Sequence, residues 1–334
     1  MTQAITLFPK STAHRLSVAP MMDWTDRHCR VFHRMMTRRA MLYTEMVTSA
    51  AVINGPKARL LDFSGAEHPL ALQLGGSDPG ELAKATAIAR DWGYDEVNLN
   101  CGCPSDRVQS GCFGAVLMER PALVAECLSA MQSETDAPVT VKCRIGVDDQ
   151  DPERALPDFL DHVARAGVRL VVIHARKAWL KGLSPKENRE IPPLDHDLVL
   201  RMKARYPELT ICLNGGVTSL AQAKSLLDLG LDGVMIGRVA YHDPGAVLIG
   251  ADALWGDDFA PDVFEVAGVM RPYIAAHLAA GGRMHQITRH MLGLFTGRPG
   301  ARSWRRHLSD GASRAGAGLD LYDRALAEVS REAA

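Results

Sequence analysis

The sequence predicts an α/β protein: an eight-stranded parallel (β/α)8 barrel, the TIM-barrel arrangement, followed by a small all-helical C-terminal domain. Three observations predict it. Eight short apolar runs recur between about residues 15 and 256. Amphipathic stretches of helical period lie between them. The runs are apolar throughout, as strands are when helices cover a parallel sheet. An open doubly wound sheet is the rival fold, and it wants a glycine-rich turn after its first strand. Here the first run ends in 19-APMMD, without glycine, and glycines instead follow runs seven and eight.

The runs come in order. The first three are 15-RLSVAPMM, 39-RAMLYTEMV and 68-HPLALQLGG. A helical stretch, 80-GELAKATAIARDWG, leads to the fourth, 95-DEVNLN. The helix 121-PALVAECLSAMQ precedes 137-APVTVKCRIG, and 153-ERALPDFLDHVARAG precedes 169-RLVVIHAR. The seventh and eighth runs, 209-LTICLNGGV and 232-DGVMIGRVA, flank the helix 219-SLAQAKSLLDLG. Three of these four helices end in glycine, where a C-cap needs one. Beyond residue 256 the pattern becomes helical. Segments 259–282, 283–300 and 318–334 read as helices. The break falls in the Gly-, Asp- and Pro-rich stretch 251-ADALWGDDFAP, giving domains 1–255 and 256–334.

The bulk numbers agree. A chain of 334 residues fits one large barrel with an appendage. A 47% hydrophobic and 23% charged composition is that of a globular protein with a real core. No apolar run approaches the roughly 18 residues of a membrane span. The first residues lack a secretory pattern, so a cytoplasmic location is expected. Seven cysteines, an odd number in a long chain, are expected to be reduced. The net charge of −1 advertises no polyanion partner. Locally, 298-RPGARSWRRH-307 holds four arginines and reads as a phosphate-facing patch or a solvated helix face.

In such a barrel the site lies at the C-terminal strand ends. Those ends carry Pro20, Met21 and Met22, then Glu45, Gln73, Asn98 and Asn100, Lys142 and Arg144, His174 and Arg176, Asn214, Gly215 and Gly216, and Gly237 and Arg238. Glycines after the last two strands let backbone N–H groups approach an anion, and Arg238 offers a bidentate partner. Tight turns alone also explain the glycines. Lys142, near the end of a buried strand, needs an anion or acceptor. It suits the pyrimidine edge of a flavin, a Schiff base or a plain salt bridge. His174 suits a flavin or phosphate contact, a base, or a satisfied core position.

The stretch 98-NLNCGCPSDRVQSGCFGAVLM-118 packs three cysteines into twelve residues. Their spacing does not match zinc pairs, and no metal is expected. Cys103, held between Gly102 and Pro104, is the best placed to work as a general acid or nucleophile.

These motifs, with HARKAWLKGLSPKENREIPPLD, NGGV, GVMIGR and RPGARSWRRHLSD, resemble those of the tRNA-dihydrouridine synthases of the A type, over residues 15 to 330. The resemblance implies a flavin-binding barrel followed by a helical tRNA-binding domain. It implies reduction of uridine to 5,6-dihydrouridine at U20 and U20a of the tRNA D-loop, with FMN as cofactor and NADPH as electron donor. Hydride would pass from reduced FMN to C6, and Cys103 would protonate C5. By the same resemblance Pro20, Met21 and Met22 line the flavin, and Gln73 bonds its edge. Lys142 and His174 hold its ring and tail. Asn214, Gly215, Gly216, Gly237 and Arg238 cradle its phosphate. Asn100 touches the uridine, and Lys186, Arg189, Arg302 and Arg305 orient the tRNA. A monomer is expected, because one tRNA needs one barrel and one helical domain.

Overall fold

The computed structural model describes residues 13–105 and 111–329. Eight strands form one parallel sheet: β1 Leu16–Val18, β2 Leu42–Thr48, β3 Leu70–Gly75, β4 Glu96–Cys101, β5 Val139–Arg144, β6 Leu170–His174, β7 Thr210–Asn214 and β8 Gly233–Ile236. Each falls on one of the eight apolar runs, with β2 and β4 reaching one residue past theirs. Their neighbour order is β1-β8-β7-β6-β5-β4-β3-β2. The two ends meet at a parallel bridge between Ser17 and Met41. There Val18 N–H donates to the Met41 carbonyl at 2.9 Å, and Met41 N–H donates to that of Leu16 at 3.1 Å.

Alternation along the strands gives the barrel two apolar populations. Outward residues such as Leu70, Leu72, Leu99, Val141 and Ile173 join the core under the helices. Inward residues, among them Met41, Tyr43, Ala71, Val172, Cys212 and Met235, fill the barrel separately. Toward the C-terminal ends the inward face becomes polar, with Gln73, Asn98, Asn100 and Thr140 all buried.

The four expected helices form as Pro79–Trp92, Pro121–Gln132, Pro152–Arg165 and Leu220–Asp228. Proline opens the first three, where its missing N–H costs nothing. Asp78, Asp151 and Ser219 cap first turns with their side chains. Left-handed Gly93, Gly167 and Gly230 follow the ends.

The C-terminal helices differ from expectation in two places. Segment 283–300 is helical only over Met284–Thr288, because Gly293, Gly297, Pro299 and Gly300 interrupt it. A separate helix, Ala301–Gly311, then carries the arginine run. Its Trp304 and Leu308, one turn apart, face inward, while Arg302, Arg305 and Arg306 are exposed. Trp304 is fully buried between Phe295 and Tyr322, at ring distances of 5.0 and 5.4 Å, and its indole N–H donates to the Met291 carbonyl. The helix Val263–Ala279 starts with a capping box from Asp262 and Glu265, and the last helix is Leu319–Ala327. Apolar contact runs unbroken from the barrel into these helices. Polar contact joins them too. Asp26 caps the helix Arg27–Arg34 and also accepts from Arg289 at 2.6 Å and from His290 at 3.0 Å.

Trp304→Ala should therefore cost about 3–5 kcal/mol, the usual loss for a buried aromatic, in urea unfolding. Trp304→Phe should cost less, losing the indole bond but keeping most of the packing.

Candidate active site at the barrel mouth

The strand ends surround a cavity of about 550 Å³. Gln73 reaches it from β3, Asn100 from β4, Lys142 from β5, His174 from β6 and Asn214 from β7. Pro20, Met21 and Met22 line it from the loop after β1, Gly215 and Gly216 from that after β7, and Gly237 and Arg238 from that after β8. Cys103 enters on the loop after β4, and Arg189 from the long loop after β6. All the residues expected at a cofactor thus share one cavity with Cys103 and Asn100. Lys186, Arg302 and Arg305 are exposed and lie outside its lining.

The three clustered cysteines separate cleanly. Cys101 points outward from β4 and is fully buried in the core, where burial pushes its thiol up well above the ordinary value. Cys112 is exposed, with a left-handed backbone at φ 55°. Cys103 is half-buried on the cavity wall, its sulfur 3.5 Å from Ser105 Oγ. The Asn100 side-chain oxygen accepts from the N–H groups of Gly102 and Cys103, at 3.1 and 2.9 Å. Ala115 N–H donates to the Cys103 carbonyl. The thiol is fixed by backbone contacts on both sides.

The loop after β1 is held as firmly. Thr25 Oγ1 accepts from Met21 N–H. Asp23 sits at φ 64°, a strained position for a residue other than glycine, and its N–H donates to the Glu45 carboxylate at 2.5 Å. Opposite it, Gly215 and Gly216 have φ of 109° and 77°. A Cβ on either would come within 2.6 Å of His174 or 2.4 Å of Leu194. Gly237 needs no unusual φ; a Cβ there would meet only Ala19 at 3.9 Å, so the backbone lies open to the cavity. Asn214 donates its amide to the Met235 carbonyl and so ties β7 to β8.

Charge distinguishes this mouth. Lys142 is enclosed except where it meets the cavity, and among the described residues no carboxylate or hydrogen-bond acceptor holds its ammonium. Burial, reinforced by Arg144, pushes it down to about 8. Burial and then Arg144 and Lys142 hold His174 far below its ordinary range, so its ring is neutral. Arg144 is a staple: from the end of β5 its guanidinium donates to the carbonyls of Gly102, after β4, and of Lys177 and Asn188, both after β6, and so joins two strand-end loops. Arg176 donates to the Pro192 carbonyl. Arg238 does not stand free for an anion. It donates to Glu190 at 2.6 Å and to the Arg189 carbonyl at 3.4 Å.

A positive, glycine-opened cavity with an unpaired ammonium and a thiol suits a flat anionic ligand and a proton donor acting on one face of a second molecule. Residues 17–332 match the family profile described as dihydrouridine synthase. The chain belongs to the dihydrouridine synthase family. It is 57% identical over 312 residues to the tRNA-dihydrouridine(20/20a) synthase of Xanthomonas axonopodis pv. citri, covering 93% of each chain. It is 56% identical to that of Vibrio parahaemolyticus, over 95% of this chain and 98% of the relative. Against that of Escherichia coli O6:H1 it is 53% identical over 97% of both.

For a dihydrouridine synthase, several cavity residues had no role from sequence. Arg144 and Arg176 lie two residues beyond Lys142 and His174, so alternation already places them on the same inward face. Trp24, Met46 and Met235 also line the cavity. Trp24 belongs to a loop and stacks on Tyr241 at 4.5 Å, which no periodicity announces. Among the described residues no group of three or more His, Cys, Asp or Glu side chains is placed to hold a metal ion.

The Lys142 shift carries a sign that can be checked. Between about pH 8 and the ordinary lysine value of 10.5 the unfolded chain holds a proton that the ligand-free folded chain has lost. Stability therefore rises with pH through that window. Urea midpoints measured below and above about pH 8 should show this rise in wild type, and Lys142→Met should remove it.

Proposed function

We propose that this chain is a tRNA-dihydrouridine(20/20a) synthase that binds FMN, takes electrons from NADPH and reduces U20 and U20a in the tRNA D-loop. The observation that carries the reading is a half-buried Cys103 thiol on the wall of a cavity that also presents the unpaired Lys142 ammonium and the open Gly237 backbone. The names and full-length similarity of the relatives support the substrate.

The residues fit the cofactor. Pro20, Met21 and Met22 offer an apolar wall, and Gln73 offers an amide to the ring edge. Lys142 places a cation beside the pyrimidine side, and the neutral His174 bonds without adding charge. Asn214, Gly215, Gly216 and Gly237 give a phosphate close access to backbone N–H groups. Arg238 adds positive charge there while remaining bound to Glu190. When bound, FMN supplies the hydride that uracil receives at C6.

The protein's own task is the proton and the geometry. A uridine in a tRNA loop must leave its stack to enter the cavity. Asn100 meets its edge. Cys103 gives its proton to C5, on the face opposite the hydride, because carbon protonation needs a positioned acid shielded from water. Lys186 and Arg189 from the loop after β6, with Arg302 and Arg305 from the helix Ala301–Gly311, contact the RNA backbone. Residues 1–255 form the catalytic domain and 256–334 the tRNA-binding domain. The enzyme works as a cytoplasmic monomer.

Anaerobic reduction with NADPH followed by tRNA lacking dihydrouridine tests this. Rapid return of the oxidised flavin spectrum is expected; a reduced protein that ignores the tRNA would overturn the substrate. Cys103→Ala should bind flavin and tRNA normally and lose about 10²–10⁴-fold in turnover, whereas Cys101→Ala should not. Arg302→Ala with Arg305→Ala should weaken tRNA binding and lower the slope of log affinity against log salt by about 1–2.

A further inference from the structure

Behind Cys103 a chain of buried side chains descends through the barrel. Asn100 Oδ1 accepts the N–H groups of Gly102 and Cys103, which can only donate. Its Nδ2 must then face away, and it donates to Gln73 Oε1 at 2.8 Å. Gln73 Nε2 donates to Asn98 Oδ1 at 2.8 Å. Asn98 Nδ2 donates to Thr140 Oγ1 at 2.7 Å. The Thr140 hydroxyl, already accepting, passes its own hydrogen to Glu96 Oε1 at 2.6 Å. Glu96, only 1% exposed, also accepts from Tyr43 and from His14 Nε2, both at 2.7 Å.

Every link has one allowed direction. The chain is pinned at both ends: the backbone N–H groups hold the Asn100 oxygen, and Glu96 takes the Thr140 hydrogen, which leaves the Asn98 and Gln73 amides between them one orientation. The last hydrogen needs a pure acceptor, and Glu96 is one. Burial pushes its carboxyl up, but His14 and the two hydroxyls pull it down further, below its ordinary value. A buried chain of this kind cannot reverse one member without setting donor against donor elsewhere.

We infer that Glu96 and Thr140, deep in the barrel, are positioning residues that set the orientation of the Gln73 and Asn100 amides and through them the posture of the Cys103 loop. Neither residue lines the cavity. Asn100 Oδ1 is occupied by the loop, so only the remaining hydrogen of its amide nitrogen is left for a uracil oxygen. Gln73 likewise presents a defined face to whatever binds beside it. The inference rests on the proposed reaction for its consequence, but its geometry stands without it.

The test uses the full-length, flavin-free protein. Thr140→Val keeps the shape and removes both the acceptor for Asn98 and the donor to Glu96; Thr140→Ser restores them. The rate of Cys103 alkylation by iodoacetamide, read on its own peptide by mass spectrometry to exclude Cys112, should change at least threefold in Thr140→Val and return in Thr140→Ser. With flavin and tRNA, single-turnover reoxidation should fall by about tenfold, the size of one lost buried hydrogen bond, with tRNA affinity unchanged. A folded Thr140→Val with wild-type alkylation and wild-type turnover would overturn the inference. Should that variant not fold, hydrogen exchange in wild type decides. Gly102 and Cys103 amides exchanging as fast as free loop amides would refute the chain. Failure of wild type to act on tRNA would refute the proposed function while leaving the alkylation result intact.

Discussion

Met41 exchanges backbone hydrogen bonds with Leu16 and Val18, and without them the other seven strand pairings would form an open sheet. Closure converts eight strand ends into a ring. It brings the loop after β1 against the end of β2, so that Met21 and Met46 line one cavity. It also removes the sheet's edges, leaving no strand backbone in search of a partner. The inward side chains are then sealed from water, and any polar group among them must find its partner inside. That requirement gives the interior its ordered amides.

The mouth sets a second requirement. Lys142, Arg144, Arg176, Arg189 and Arg238 gather there, and Glu190 is the carboxylate bonded to one of them. Arg144 and Arg176 are tolerated because carbonyl oxygens absorb their N–H groups. Among the described residues Lys142 has no such relief, and burial holds its ammonium below the ordinary value. An anion held in a site arranged this way would relax it.

Much of this was legible in the sequence, for physical reasons. A covered parallel strand must be apolar on both faces, and all eight such runs became strands. Helices whose starts carry Pro with Asp or Ser and whose ends carry Gly declared themselves. The helix Ala301–Gly311 did not, because its apolar stripe is only Ala301, Trp304 and Leu308 among charges, and it follows a Gly-Arg-Pro-Gly break. The site residues at strand ends were readable because topology alone places them. Pairings across the cavity were not: Arg238 meets Glu190, 48 positions earlier, by loop folding that no local pattern encodes. Cys101 and Cys103 share a parity, and what separated them was the Gly102 and Pro104 that flank Cys103 and carry it into the loop, while Cys101 still belongs to the strand.

The joint between barrel and C-terminal helices has a metrical consequence. Asp26 bonds the first barrel helix, Arg289 and His290 at once, and the apolar core continues across the same boundary. A stiff joint of this kind fixes the span between the exposed arginines of Ala301–Gly311 and the thiol at the mouth. On the proposed function, a nucleic acid gripped by those arginines would be measured as by a ruler. The nucleotide reaching Cys103 would then be chosen by its distance along the fold, and a hinge at this joint would blur that choice without touching the chemistry.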